Sequence, residues 1–381
     1  MKKIKVLMVA GSMNVGGIEN QLMHVLRNAD KDKFQIDFTS TMPDAYYRHE
    51  IESLGGRFII IPEMNWKKPL PYIRKMYQIM KEGQYDIVHS HELFHSGITL
   101  TIALLAGVPC RFCHAHNWKD GDGSGKRRSV LRVLYNGVMR NLIDLVSTVQ
   151  IGCSTWAGRF LYGKHMLKRS TYHLLYNSVD TEKFLDHYYD DESGEFCDDG
   201  WINVVNVARI SKVKNQVLLV RLAAELRRRK KKIRILCAGS GDEADVEHIK
   251  SLIEKYKLEK YIQLLGVRSD IDTLLRKASA FILPSQYEGM PLVLIEAQAS
   301  GLPCVIADTF SHEVDFGLNQ IHWVPLKAEI AVWADAVEKA VDTERKDKSE
   351  VADAIEAKGF DSRIFARKLC QLYQAACHNM V

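Results

Sequence analysis

The feature that most constrains the fold is an alternation of short apolar runs with amphipathic segments, which occurs twice along the chain. The first half contains runs that predict buried strands near Ile4–Ala10, Phe34–Ser40, Arg57–Ile61, Ile87–His91, Arg111–His116 and Val149–Cys153. After residue 200 the same rhythm predicts strands near Ile202–Val207, Ile233–Ala238, Tyr261–Leu264, Ala280–Pro284, Cys304–Ala307 and Ile321–Pro325. Because strands that alternate with helices form parallel sheets, we predict an α/β protein with two Rossmann-like domains.

An acidic stretch separates the two halves. Residues 186–200 are too polar for a core and suit a linker or an exposed loop, which predicts an N-terminal domain over 1–185 and a C-terminal domain over 201–361. A chain of 381 residues agrees with two domains, because a single core usually stops growing near about 250–300 residues. The last segment, 362–381, has an amphipathic helical pattern that either closes the second domain or packs back on the first.

No segment has the pattern of an export signal or a membrane span. The apolar run after Lys2 and Lys3 is short, lacks a small-residue cleavage site and is followed by Gly11, so we predict a first strand there. Nowhere do about 18 apolar residues run together. The eight cysteines show no framework spacing, which favours reduced thiols and a cytoplasmic protein.

One segment superficially offers metal ligands, namely Cys110-x-x-Cys113-His114-x-His116. Side chains alternate between the two faces of a strand, so Cys113 and His114 are expected to point apart. No second Cys/His pair follows at the spacing of a zinc finger. We therefore predict no metal site.

The positive charge is concentrated in the first half of the chain. Residues 1–180 carry 24 Lys and Arg against 15 Asp and Glu, whereas the whole chain has a net charge of +5. This half is expected to face an anionic partner. Residues 126–140 mix bases with apolar side chains at helical spacing, which fits either a helix lying in a membrane interface or a core helix with a solvated basic edge.

Residues that directly follow the predicted strands are the candidates for chemistry, because open α/β sheets bind ligands at the carboxyl ends of their strands. After the first strand, Gly16 and Gly17 open a helix, and paired glycines let the backbone approach a phosphate. Neither the Gly-x-Gly-x-x-Gly spacing of dinucleotide-binding proteins nor the Lys-Ser or Lys-Thr of a P-loop is present. A glycine-rich turn without a ligand is the alternative.

The second half carries two basic and two acidic candidate residues near the ends of its predicted strands. Arg209 and Lys214 follow its first strand, where fixed cations hold a diphosphate and neutralise the charge that develops as a sugar–phosphate bond breaks. A solvated loop is the alternative. Glu288 precedes a short predicted helix that ends before Gly301, and Glu296 lies inside it among apolar residues. Burying that carboxylate is costly unless it is paired or accepts hydroxyl hydrogen bonds, such as those of a ribose.

These residues resemble the signature of the retaining glycosyltransferases of family four, which have the GT-B fold of two Rossmann-like domains facing across a cleft. Glu288 and Glu296, with seven residues between them, match the E-x7-E motif of that family. Arg209 and Lys214 match its phosphate-binding pair, although Ala208 stands where glycine is common.

Two further segments extend the resemblance over nearly the whole chain. Gly16 and Gly17 match the N-terminal glycine loop of the family. Residues 177–184 resemble its Asn-Gly-Val-Asp-x-x-x-Phe run, with Ser178 in place of the usual glycine.

The resemblance implies a role for each matching residue. Glu288 is expected to contact hydroxyls of the donor sugar and Glu296 the ribose. Arg209 and Lys214 are expected to hold the diphosphate. The remaining implied donor contacts are made by the main chain around Val267 and Arg268 to the base, and by that of Gly289, Met290 and Leu292 near the sugar and phosphate.

The resemblance also implies a histidine near the reacting sugar. His116, which ends a first-half strand, resembles that histidine, but His114 shares the same face of the strand, so both are open. His89 and His91 also share a face at the end of a strand. They either line the acceptor side or serve as structural histidines.

The implied reaction moves a sugar from a nucleotide-sugar, with a UDP-sugar favoured, to a glycan or a lipid-diphosphate acceptor in surface polysaccharide synthesis. It retains the anomeric configuration and uses no metal and no other cofactor. The basic first half then suits peripheral contact with the inner face of the plasma membrane, and no nucleic acid is expected as a partner. Two alternatives are a sugar-nucleotide epimerase of the same fold and a non-catalytic sugar-binding subunit.

Overall fold

The computed structural model describes residues 2–14, 16–117, 130–185 and 200–378. They form two compact units. The first contains the chain up to Ser178 and again from Phe360 onward, and the second spans Val179 to Gly359. The first unit therefore ends ahead of the boundary predicted at residue 185. Of the predicted linker 186–200, only Gly200 is among the described residues, and so is only 130–140 of the segment 126–140.

The first unit contains a seven-stranded sheet in which every pair of neighbours is parallel. Its strands are β1 Ile4–Val9, β2 Phe34–Ser40, β3 Phe58–Ile60, β4 Ile87–Ser90, β5 Cys110–Ala115, β6 Val149–Gly152 and β7 Tyr172–Leu174. They lie in the order β3-β2-β1-β4-β5-β6-β7. The strand order reverses between β1 and β4, which is the switch point where such sheets bind ligands.

The second unit contains a six-stranded parallel sheet. Its strands are β8 Ile202–Val207, β9 Ile233–Ala238, β10 Ile262–Gly266, β11 Ala280–Leu283, β12 Cys304–Ala307 and β13 Ile321–Val324. Their order, β10-β9-β8-β11-β12-β13, places the switch point between β8 and β11.

Helices connect these strands and are numbered along the whole chain. Those of the first unit are α1 Gly17–Asn28, α2 Arg48–Ser53, α3 Leu70–Gly83, α4 Ser96–Ala106, α5 Val130–Val146 and α6 Thr155–Tyr162. Those of the second unit are α7 Thr181–Leu185, α8 Gln216–Arg228, α9 Glu243–Lys255, α10 Ile271–Lys277, α11 Leu292–Ala299, α12 Ile330–Val341 and α13 Lys348–Lys358. The last helix, α14, spans Ser362–His378.

The structure confirms the predicted α/β class with two Rossmann-like parallel sheets, and every predicted strand is present with its ends displaced by two residues or fewer. The sequence missed β7, a three-residue strand at the edge of the first sheet. Its residues are half-buried or exposed, so no apolar run marked it.

The C-terminal helix α14 packs on the first unit. Phe365, Leu369 and Tyr373 are buried in the same core as Val6 and Phe38 of the first sheet. Helix α14 also contacts helix α1. Of the two placements that the sequence left open, the helix therefore takes the one against the first domain.

Candidate active site

Two loops lie side by side at the switch point of the second sheet. One follows β8 and carries Arg209 and Lys214, and the other follows β11 and carries Glu288. Since β8 and β11 are adjacent parallel strands, their carboxyl ends open at the same edge of the sheet. The structure thus brings together Lys214 and Glu288, which lie 74 residues apart in the sequence.

Hydrogen bonds join the two loops to each other. The main-chain N–H of Gln286 donates to the carbonyl of Val213 at 2.8 Å. The side-chain amide of Gln286 donates to the carbonyl of Lys212 at 3.0 Å. Asn215 donates through Nδ2 to the carbonyl of Pro284 at 3.2 Å. These bonds fix the loop after β8 against the loop after β11.

Lys214 and Glu288 form an ion pair, in which Nζ donates to Oε1. Both side chains are largely withdrawn from solvent, with 21% of Lys214 and 13% of Glu288 exposed. Removing one member would leave the other charge uncompensated in a partly buried place. The resemblance implied separate roles for these residues, and the structure adds that each holds the other in position.

Arg209 presents an exposed side chain on a fixed backbone. Its carbonyl accepts a hydrogen bond from Gln216 Nε2 at 3.1 Å. The next N–H, that of Ile210, donates to the carbonyl of Ser240 at 2.8 Å. Within the part of the chain that the structure describes, the guanidinium has no hydrogen-bond or ion-pair partner. It is therefore available to an anion at the switch point.

Two glycines after β9 support this loop, and the sequence analysis did not identify them. A Cβ at Gly239 would collide with the carbonyl oxygen of Ala208, and one at Gly241 with that of Ile210. Gly239 also has a φ of +136°, which side chains rarely adopt. The signal was the glycine spacing Gly239-Ser240-Gly241 directly after a predicted strand.

Replacing Gly239 with alanine is expected to destabilise the second unit by about 2 kcal/mol or more, because the added Cβ meets backbone at an unfavourable φ. Differential scanning calorimetry of thermal unfolding measures the effect. Gly137→Ala is the control, since a Cβ there meets nothing within 4 Å. In the middle of α5 it should be neutral or stabilise by up to ~1 kcal/mol. An unchanged Tm for Gly239→Ala would contradict the close approach of the two loops.

Glu296 is a partly buried residue of α11. Across the described ranges, no hydrogen bond or ion pair engages its carboxylate, so the internal ion pair that the sequence left open does not hold it. Burial raises the pKa of this carboxyl to about 7, while nearby Lys183 lowers it and Asp272 raises it. Lys183 Nζ and Asp272 Oδ1 pair with each other at 3.1 Å. No sequence pattern identified this pair, because its closeness to Glu296 depends on the packing of α7 against α11.

The segment predicted to contact the base lies at the carboxyl end of β10. Val267 is 68% exposed. The guanidinium of Arg268 donates to both carboxylate oxygens of Asp270, at 2.9 Å from Nε and 2.6 Å from Nη2. The N–H of Gly239 donates to the carbonyl of Gly266 at 2.7 Å. This bond joins the segment to the loop that supports Arg209.

The residues before α11 differ from the prediction at one position. The sequence placed Pro291 in the first helical turn, but the helix begins at Leu292 and Pro291 is its N-cap. Pro291 has φ −71° and ψ 112°, an extended conformation that its ring permits. Gly289, Met290 and Leu292 are buried around it, close to Glu288 in sequence.

Four histidines form a separate cluster in the first unit. His89 lies in β4 with His91 directly after it, and His114 lies in β5 with His116 directly after it. All four are buried, with 6% or less of each exposed. His91 Nδ1 lies 2.8 Å from His116 Nε2. His89 Nδ1 lies 2.6 Å from the hydroxyl of Tyr373 in α14.

Burial lowers the pKa of every member of this histidine cluster. For His116 the pKa falls to about 3. The four rings are therefore neutral at physiological pH. The cluster joins His114 and His116, between which the sequence left the choice open, with the pair His89 and His91. The role of His116 near the reacting sugar stays a prediction.

The glycine loop after β1 carries a carboxylate of its own. Gly16 is the extended N-cap of α1 and Gly17 is its first residue. The carboxyl of Glu19 lies where a Cβ on Gly16 would stand, and Ser12 Oγ donates to Glu19 Oε1 at 3.0 Å. An anion thus already lies at this helix N-terminus, and phosphate binding by Gly16 and Gly17 stays a prediction.

Ser178 departs from the family pattern for a visible reason. Its hydroxyl accepts a hydrogen bond from Gln21 Nε2 at 2.8 Å. Its N–H donates to Gln21 Oε1 at 2.7 Å. The serine is fully buried and ties the end of the first unit to α1, so a side chain is used where glycine is usual.

Comparison with known proteins gives matches over nearly the whole chain. The family model described as Glycosyltransferase Family 4 matches residues 15–183. The model described as Glycosyl transferases group 1 matches residues 197–357. The two models therefore correspond to the two halves that the strand pattern separates.

Individual proteins resemble between four fifths and nearly all of the chain. The putative glycosyltransferase EpsF of Bacillus subtilis is 35% identical over 97% of this chain and 96% of its own length. The UDP-Gal:alpha-D-GlcNAc-diphosphoundecaprenol alpha-1,3-galactosyltransferase of Escherichia coli is 24% identical over 80% of each chain. The crystal structure of Anabaena Alr3699/HepE in complex with UDP-glucose has a TM-score of 0.75 at 18% identity, over 98% of this chain and 100% of that one. At that identity the likeness concerns the fold.

Proposed function

This chain belongs to family four of the glycosyltransferases and has their GT-B fold, and on that premise we propose that it transfers a sugar from a UDP-sugar to a lipid-linked glycan acceptor in surface polysaccharide synthesis. The observation that carries the proposal is the convergence of Arg209, Lys214 and Glu288 at the switch point of the second sheet. Glu296 follows in the adjoining helix.

The two bases are proposed to hold the diphosphate of the donor. As the bond between the anomeric carbon and the phosphate oxygen breaks, negative charge develops on the leaving diphosphate. Lys214, which Glu288 holds in place, and Arg209, whose guanidinium faces solvent, would stabilise that charge. Glu288 would accept hydrogen bonds from sugar hydroxyls while it still positions Lys214.

The nucleoside is proposed to lie along the loops after β9, β10 and β11. Glu296 would accept hydrogen bonds from the ribose hydroxyls, and the main chain of Val267 and Arg268 would contact the base. UDP is favoured because the E. coli relative is named for UDP-Gal and the HepE structure contains UDP-glucose.

We also propose that the transfer retains the anomeric configuration and needs no divalent metal. The support is the pair of cations at the switch point, Arg209 and Lys214, which would supply the positive charge that a divalent ion supplies elsewhere. The proton of the acceptor hydroxyl would pass to the departing phosphate oxygen. An α-linked product from an α-linked donor, detected by the anomeric proton coupling in NMR, and an undiminished rate in EDTA are the expected results. A β-linked product would contradict retention.

Incubation with a panel of UDP- and GDP-sugars tests the function itself. With a synthetic GlcNAc-diphospho-lipid as acceptor, a UDP-sugar should give a product larger by one hexose, detected by mass spectrometry. Conversion of the UDP-sugar to an epimer without acceptor would support the epimerase instead. If no sugar nucleotide is transferred, hydrolysed or able to raise the Tm, the proposed donor class is wrong.

The acceptor is proposed to reside in a membrane that α5 touches. Among the described residues, no helix has the length and apolarity needed to cross a membrane. Helix α5 nevertheless exposes Val130, Leu131 and Leu134, and α4, which packs beside it, exposes Leu104 and Leu105. Apolar side chains on a basic domain suit the surface of an anionic membrane, and we place this contact at the inner face of the plasma membrane.

Replacing Leu131 and Leu134 together with aspartate is expected to lower binding to vesicles that contain anionic lipid by roughly tenfold or more, because two apolar side chains leave the interface and two negative charges enter. Vesicle flotation measures the bound fraction. Leu167→Asp, at another exposed leucine of the first unit, is the control and should bind like the unchanged protein. Equal binding by all three proteins would exclude α5 as the contact.

A further inference from the structure

We propose that the histidine cluster of the first unit binds one divalent transition-metal ion, of which Zn²⁺ is the natural candidate, through His89, His91 and His114. One ring nitrogen from each of these residues can be chosen so that all three lie within 4.8 Å of one another. The three residues are buried, so the nitrogens lie in a dry place.

The hydrogen bonds around the rings leave ligand nitrogens available. His89 bonds the Tyr373 hydroxyl through Nδ1 and His91 bonds His116 through Nδ1, so that each keeps Nε2 unpartnered among the described residues. His114 has neither nitrogen partnered there. Metal-binding histidines characteristically use one nitrogen as ligand while a second partner holds the other. His89 and His91 have that arrangement.

The chemistry of the ligand set selects the class of ion. A set of imidazoles without a carboxylate suits Zn²⁺, Co²⁺, Ni²⁺ or Cu²⁺ and does not suit Mg²⁺ or Ca²⁺, which take oxygen ligands.

The two strands supply a preformed but open arrangement. β4 and β5 pair in a register that ends with Ser90 opposite Cys113, and the rings of the next residues, His91 and His114, have centroids 5.4 Å apart. The rings of His89 and His114 are nearly parallel, with an interplanar angle of 5°. Zn–N bonds of about 2.0–2.1 Å place neighbouring ligand nitrogens roughly 3.3 Å apart, so the rings must turn toward one another when the ion binds.

The expectation of no metal site came from ligands considered along a single strand. Because side chains alternate along a strand, Cys113 lies on the opposite face of β5 from His114. The present set instead combines neighbouring strands with His-x-His spacing in each. Because Tyr373 holds His89, a bound ion would also stabilise the docking of α14 on the first unit.

Titration of the tag-free, EDTA-stripped full chain with Co²⁺ tests this inference. We expect about one equivalent of Co²⁺ to produce the visible absorption of a four- or five-coordinate site, and Zn²⁺ to displace it and raise the Tm. His114→Phe should lose the absorption and the rise in Tm, while His248→Gln, at an exposed histidine of α9, should keep both. If His114→Phe does not fold, His91→Gln replaces it and should likewise lose the absorption and the rise in Tm.

Two results would overturn the inference. One is the absence of a one-equivalent Co²⁺ spectrum in the unchanged protein. The other is thiolate charge-transfer absorption or an unaltered spectrum in the folded His114 or His91 variant, which would place the ion elsewhere. None of these readouts depends on sugar transfer, so they stand apart from the proposed function.

Discussion

Lys214→Ala is expected to lower kcat/KM for sugar transfer by roughly 10²–10³-fold, the usual effect of removing one preorganised donor to a developing anion. The loss has two sources. At the proposed donor site, the diphosphate loses one of the two cations expected to hold it. Glu288, with only 13% of its side chain exposed, loses the partner that offsets its charge. Its carboxylate therefore repels the negatively charged donor.

Lys212→Ala is the matched control for this prediction. Lys212 lies in the same loop and is exposed, and the structure gives only its carbonyl a bond to the site. Steady-state kinetics with a UDP-sugar should leave Lys212→Ala within about twofold of the unchanged enzyme. Equal activity of the Lys214 and Lys212 variants would show that Lys214 does not hold the diphosphate.

Glu296→Gln is expected to lower the affinity for a UDP-sugar by roughly 10- to 100-fold at pH 8, because hydrogen bonds to a charged acceptor are worth more than those to an amide. Burial raises the pKa of Glu296 to about 7, with Lys183 and Asp272 facing it. Donor affinity should therefore rise between pH 6 and pH 8 as the carboxyl ionises. The variant should show no such rise.

The raised pKa of Glu296 also predicts how the stability of the protein depends on pH. The carboxyl ionises in the unfolded chain near its ordinary value of 4.5 but in the folded chain only near 7. The stability it contributes is thus complete below pH 4.5 and is lost as the pH rises to 7. Between those values the Tm of the unchanged protein should fall relative to that of Glu296→Gln.

Isothermal titration with a UDP-sugar, whose diphosphate does not titrate in this range, and thermal unfolding across that pH range check both effects of Glu296. Glu247→Gln, at an exposed glutamate of α9, is the control and should behave like the unchanged protein. A pH-independent affinity in the unchanged protein, together with full affinity in Glu296→Gln, would remove Glu296 from the ribose.

The arrangement of the second sheet was predictable because local patterns determine it. Apolar runs bounded by turn residues predicted β8 and β11, and the rule that ligands bind after parallel strands placed Arg209 and Glu288 at one edge. The ion pair of Lys214 with Glu288 was not predictable, because no short-range pattern tells which loop side chains meet.

Features that depend on packing between distant segments could not be predicted from the sequence either. Lys183 reaches Glu296 only because α7 packs on α11. The histidine cluster needs the register of β4 against β5, which single-strand alternation does not contain. Gly239 had a visible signal in its spacing, but its close approach to Ala208 depends on how two loops cross.

The most direct test of the central claim is a crystal structure of the protein grown with UDP-glucose. We expect diphosphate oxygens within about 3 Å of the Arg209 guanidinium and of Lys214 Nζ, with the ribose hydroxyls on the Glu296 carboxylate. A nucleotide bound elsewhere on the chain, with Arg209, Lys214 and Glu296 all out of contact with it, would contradict the account.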